Sequence, residues 1–249
     1  MAIAPDAKER WRRGLIGKVP IASARGMSAT ILLVLGGVVL FSGPIYGLFE
    51  WAVSGQPAAT IELTREILWL NFAANAVLLL FIPLLAILIT RPGEWGAPAV
   101  RLRLLVDKWT GLYALLGAGI TFAALLALAA IVGALQYSGL YHFDESDIVD
   151  QLRPLLTPAV IVAVPILAAI TEEVYFRGYL QPRIGIIGSS LLFGLVHSGY
   201  GTLLQLVAPF FLGLLFGYLF QRTRSLWAPI AGHFLFDFVQ FIALYFRPQ

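Results

Sequence analysis

Apolar residues fall in long runs along this chain, and the charges gather in the short stretches between them. Runs of about 20 apolar residues are long enough to cross a bilayer as helices. The pattern predicts spans over Ser28–Phe49 (broken by Gly43-Pro44), Ile67–Thr90, Gly111–Gln136, Pro154–Leu180, Ile184–Tyr200, Thr202–Phe220 and Leu226–Phe246. Gln181-Pro182-Arg183 and Arg222-Thr223-Arg224 are expected as cytoplasmic turns. The expected fold class is all-α, a polytopic transmembrane helical bundle of about seven spans, or about eight if the tail adds a helix. Residues 1–27 read as a basic tail, and 28–249 as a single transmembrane domain whose chemistry lies in 154–246.

Charge turns this list of spans into a topology. The tail carries Lys8, Arg10, Arg12, Arg13, Lys18 and Arg25 against Asp6 and Glu9. The apolar run after it is too long for a signal peptide and lacks a small-x-small cleavage site, so the tail is expected to be retained. The next connection holds Glu50, Glu62 and Glu66 with one Arg65, the following one Arg91, Arg101, Arg103 and Lys108, and the third Asp144, Glu145, Asp147 and Asp150. Basic and acidic loops alternate, which by the positive-inside rule puts the N-terminus in the cytoplasm of a multi-pass cell-membrane protein. The net charge of +3 therefore reports orientation in the bilayer, and no nucleic-acid partner is expected.

Composition excludes whole classes. With 59% hydrophobic and 12% charged residues and a mean hydropathy of +0.83, the 249 residues do not suit a soluble domain. The absence of cysteine rules out disulfides, a thiolate nucleophile and thiolate metal ligands. Within the spans, Asn71 and Asn75 are four apart and are expected to share a face pointing into the bundle. Gly43-x-x-x-Gly47 and Gly213-x-x-x-Gly217 read as close-packing faces. The acidic loop Tyr137–Arg153, with His142, reads as a solvated loop.

A few ionisable side chains remain inside the last four spans. Glu172, Glu173 and Arg177 lie in one stretch, His197 in another, and His233 with Asp237 in a third. Charges in a membrane span are expensive unless they face a protein interior with a partner. Glu173 and Arg177 are four apart on a helix and share a face, so they can pair while Glu172 stays available. Counted from the cytoplasmic turns at ~1.5 Å per residue, Glu172 lies ~16 Å deep, His197 ~21 Å, His233 ~14 Å and Asp237 ~20 Å. Groups from three spans thus share one layer near the membrane midplane. Carboxylates with histidines suit the activation of water, a glutamate serving as general base and a neutral histidine holding the water or donating to an oxyanion. The same donor types also make a zinc set, but the His-Glu-x-x-His motif is absent. Also missing are a Gly-x-Ser-Gly nucleophile motif and a second aspartate at depth.

These residues resemble the CAAX protease and bacteriocin-processing (CPBP, or ABI) family of intramembrane glutamic endopeptidases. The family's motifs are Glu-Glu-x-x-x-Arg, Phe-x-x-x-His and His-x-x-x-Asn or Asp. Here they read Glu172-Glu173-Val-Tyr-Phe-Arg177, Phe193-Gly-Leu-Val-His197 and His233-Phe-Leu-Phe-Asp237. The resemblance implies that Glu172 is the general base and that His197 helps to activate water. It further implies that His233 and residue 237 stabilise the oxyanion and that Arg177 holds Glu173. The prenyl-protein endopeptidases of the family carry Asn where this chain has Asp237, and a carboxylate donates to an oxyanion only when protonated.

The expected activity is endoproteolysis of a membrane-associated or lipidated peptide or protein, with the bilayer as the other partner and with no metal or cofactor. The short loops and Ala/Gly-rich spans favour a substrate other than a CAAX protein. The competing expectations are a non-catalytic binding or immunity protein of the same family, and a proton-relaying transporter. The absence of a matching polar half speaks against the transporter.

Overall fold

The computed structural model describes residues 24–54, 62–90, 102–140, 147–198 and 203–247, and among these there are helices and no strand. Most of the basic tail, and His142 in the acidic loop, lie outside the described residues. The helices are α1 (Ala24–Ser54), α2 (Arg65–Thr90), α3 (Thr110–Tyr137), α4 (Asp147–Leu152), α5 (Pro158–Glu172, continued by Glu173–Leu180), α6 (Gln181–His197), α7 (Leu203–Thr223) and α8 (Trp227–Tyr245). The chain is a polytopic helical membrane protein, with six helical stretches long and apolar enough to cross a bilayer among the described residues.

Local sequence sets the helix starts. Thr64 Oγ1 accepts from the backbone N–H of Ile67 at 3.3 Å and caps α2, and Thr157 does the same for α5 through Val160. Pro158 occupies the first turn of α5, where its missing N–H costs nothing. The span expected from Pro154 therefore begins later, after a short 3₁₀ turn at Arg153–Leu155.

Two expected interruptions fall elsewhere. α1 runs through Gly43-Pro44 unbroken; membrane helices tolerate proline because neighbouring groups satisfy the freed backbone. Gln181-Pro182-Arg183 is helical, and the reversal lies at Gly185, whose φ of 80° and ψ of 172° suit glycine. Glu172 stands 3.9 Å from His197, and the Phe176 and Phe193 rings are 5.1 Å apart. An unbroken helix would hold residues 172 and 197 ~37 Å apart. The apolar stretch Pro158–His197 is therefore a hairpin folded back at Gly185, not a single straight crossing.

α8 lies along α3, α5 and α7, and α7 along α6. Small residues permit this. A side chain on Gly117 would strike the carbonyl of Ala228, and one on Gly232 would strike Thr121 Oγ1. Gly213 sits against Ser190 and Gly217 against Ile186, so this pair is a packing face. Gln181 Nε2 also donates to the Gly217 carbonyl at 2.9 Å. Gly43 has open space around it, and the packing expected of Gly43-x-x-x-Gly47 is not met there. Val34, Leu35, Val38 and Val39 of α1 are all more than half exposed, as a lipid-facing helix requires.

Candidate active site

The α-helical geometry of α5 gives way to π-helix at Glu173. Such insertions are rare and frequently sit at functional sites. Glu173 and Arg177 follow directly, 0% and 1% exposed, with Arg177 Nη1 donating to Glu173 Oε1 at 2.8 Å. Burying a lone ion of either sign costs several kcal/mol, and the pair offsets this by mutual attraction. Aromatic faces add to it. The Arg177 guanidinium lies 4.1 Å from the Phe193 ring centroid, 5.4 Å from Phe216 and 5.8 Å from Phe176.

Glu173 Oε1 also accepts a hydrogen bond from His233 Nδ1 at 2.8 Å. A carboxylate held by an arginine has no proton to give, so Nδ1 is the donor and Nε2 points the other way. Nε2 stands 3.4 Å from Asp237 Oδ2, one turn further along α8, and 4.0 Å from Glu172 Oε2. His197 is fixed likewise. Its Nδ1 donates to the Phe193 carbonyl at 2.7 Å, which leaves Nε2 directed at Glu172 Oε2, 3.9 Å away.

The structure thus brings all six expected residues together: Glu172, Glu173 and Arg177 from α5, His197 from α6, and His233 and Asp237 from α8. The two adjacent glutamates have unlike surroundings. Glu173 is sealed between Arg177 and His233. Glu172 Oε2 is shielded and has no hydrogen-bond partner among the described residues, yet both imidazole Nε2 atoms face it. Two hydrogen bonds of ~2.8 Å meeting at a water near a right angle span ~4 Å. Glu172 therefore has the spacing to share a water with either imidazole. The side chains of Glu172, His197 and His233 are 19%, 22% and 5% exposed, and that of Asp237 24%, so the group is buried on its His233 side and partly accessible at the others. No set of three or more acidic or histidine side chains among the described residues is arranged to hold a metal ion.

The aromatic shell was not legible from motif spacing. Phe216 of α7 stacks on His233 at 5.3 Å and 18°, while Phe193 meets His233 edge-on at 5.7 Å and His197 at 4.8 Å. Phe193 opens one of the motifs, but Phe216 is one apolar residue in an apolar span, and nothing in the sequence marks it. Asn71 and Asn75 do share a face, with Asn75 Nδ2 donating to Asn71 Oδ1 at 2.6 Å. Asn71 is exposed, however, where the sequence suggested an inward-facing residue.

Residues 154–239 match a family model described as type II CAAX prenyl endopeptidase Rce1-like. The chain is 27% identical over 122 residues to "Uncharacterized protein YpbD" of Bacillus subtilis (strain 168), covering 49% of this chain and 64% of that protein, under two thirds of its length. It is 29% identical over 211 residues to "Putative membrane peptidase YdiL" of the same organism, covering 80% of each. No solved structure matches the chain.

Proposed function

We propose that this membrane protein, whose residues 154–239 carry an Rce1-like domain, is an intramembrane endopeptidase that cleaves a membrane-associated or lipidated peptide with water activated by Glu172. The observation that carries the reading is the placing of Glu172 Oε2 between the Nε2 atoms of His197 and His233. In this reading Glu172 removes a proton from the shared water as its oxygen bonds to the scissile carbonyl carbon. The carbonyl π pair moves to oxygen and makes an oxyanion. Collapse then breaks the C–N bond, and Glu172 returns the proton to the leaving amine.

His197, its Nδ1 committed to Phe193, accepts from the water through Nε2 and orients it. His233, protonated on both nitrogens, donates from Nδ1 to Glu173 and turns its Nε2–H toward the oxyanion. Asp237, 3.4 Å from that nitrogen, acts by holding the imidazolium and needs no proton of its own. Glu173 and Arg177 are positioning residues: a neutralised anchor that fixes the His233 ring. The N-terminus is assigned to the cytoplasm of the cell membrane, on the alternation of basic and acidic loops.

The test is hydrolysis of a membrane-peptide library by detergent-purified protein, wild type beside Glu172→Gln, with and without a chelator. Loss of about 10²–10⁴-fold in rate in Glu172→Gln, with unchanged unfolding and no chelator effect, is expected. Cleavage that survives Glu172→Gln, or that the chelator stops, overturns the glutamate mechanism. No cleavage by folded wild type leaves a non-catalytic binding protein as the better reading.

A further inference from the structure

We infer that Asn75, together with Asn71, binds the main chain of the peptide substrate where it enters the site from the bilayer between α2 and α5; this deepens, and rests on, the peptidase reading above. The inward stripe of α2 carries Leu68, Phe72, Asn75, Leu79, Ile82 and Ala86; Phe72 and Asn75 are half-buried and the others buried. Leu68 packs in a cluster with Val160, Ile161 and Val164 of α5, and Leu79 and Ile82 in another with Tyr175 and Phe176. The two helices therefore run in the same direction. Each changes from α- to π-helix, α2 after Ala76 and α5 after Glu172; the first α-helical part of α2 packs on that of α5, and the π segment of α2 packs on both parts of α5. Leu79, one turn beyond Asn75, packs with Tyr175 and Phe176, which puts Asn75 within about a turn of the level of Glu172.

Apolar packing closes the α2–α5 seam on either side of this level. Between Phe72, which packs on the first cluster, and Leu79 the stripe presents Asn75, with Asn71 at its exposed edge. An asparagine in a membrane helix ordinarily hydrogen-bonds across to a neighbouring helix. Here Asn75 bonds to Asn71 on its own helix, and among the described residues no other helix supplies either amide with a partner. That bond leaves Asn75 its Oδ1 and one N–H, and leaves Asn71 both of its N–H groups. Donor beside acceptor is the complement of an extended peptide backbone. A main chain crossing apolar surroundings needs such partners at every unit, because water does not supply them. The strip reads backbone and not side chain, so it positions any sequence whose scissile bond reaches Glu172.

The experiment uses the full chain in lipid nanodiscs. The probe is an internally quenched peptide with an S-farnesyl cysteine fourth from its C-terminus and a benzoylphenylalanine beside it. Asn75→Leu is expected to raise KM about fivefold or more, the worth of one or two hydrogen bonds, with kcat within about twofold. Asn75→Gln should recover most of the loss. Irradiation of the Glu172→Gln protein with the probe should place the adduct on α2 between residues 71 and 77, and Asn71→Leu/Asn75→Leu should abolish that adduct.

Cleavage with unchanged KM in Asn75→Leu, or adducts only on other helices such as α1, overturns the inference and leaves the peptidase reading standing. An α2 adduct with cleavage by wild type of neither the probe nor the membrane-peptide library keeps the binding strip and removes the peptidase reading. A folded wild type that neither cleaves the probe nor forms an adduct overturns the inference, and cleavage of the membrane-peptide library then decides the peptidase reading.

Discussion

Replacing Arg177 by methionine removes a cation that is 1% exposed and keeps the volume of its stem. Three losses follow. Glu173 keeps only His233 as a polar partner, although it is fully buried. The 2.8 Å charge-assisted bond goes, and so do the guanidinium contacts with Phe176, Phe193 and Phe216. Breaking one side of a buried pair costs about 3–5 kcal/mol, chiefly through the stranded ion. The cation–π loss adds about 1–2 kcal/mol at a desolvated site, partly recovered by sulfur–aromatic contact from the methionine.

The double replacement Glu173→Gln/Arg177→Met removes both ions of the pair and should regain about half or more of that stability, since neutral substitutes for a buried pair are often tolerated. It should not regain activity, because a glutamine is a weaker anchor for the His233 imidazolium than a carboxylate. The assay is a two-by-two cycle of unfolding free energies in detergent, with peptide hydrolysis measured on each variant. A cost below about 1 kcal/mol for Arg177→Met would refute the claim that this ion pair is sealed from water. Additive costs across the cycle would refute the claim that the two side chains act as one unit.

Asp237→Asn should keep hydrolysis within about tenfold of wild type, whereas Asp237→Leu should lose about 10²-fold, because an amide oxygen still faces His233 Nε2 and leucine presents nothing polar there; equal losses in steady-state kcat/KM would contradict the holding role. Gly117→Val should destabilise the fold by about 1–3 kcal/mol or more, since its side chain meets the Ala228 carbonyl on α8. Gly43→Val, which has open space, should leave thermal unfolding in detergent unchanged.

Hydropathy alone determined that this chain is a bundle of membrane helices, because a run of apolar residues has one low-energy place and, without water, one backbone solution. Spacing alone determined that Glu173 can meet Arg177 and that His233 can meet Asp237, because a helical turn fixes neighbours four apart. The cost of a charge in a membrane made those few residues stand out. What neighbours in space do to one another was not in the pattern. The chain reverses at Gly185 and not at Gln181-Pro182-Arg183, since a proline near a helix start is as acceptable as one in a turn, and only the packing of α5 on α6 chooses.

Tertiary contact also sealed Glu173 beyond the pairing with Arg177 that spacing allows. Glu172 and Glu173 are chemically identical in sequence, and burial beside Arg177 and His233 separates an anchor from an available carboxylate. The stacking of Phe216 on His233 depends on which helix faces which. A hydrophobic run fixes the length and the medium of a helix, while its rotation and depth relative to its neighbours follow from packing alone.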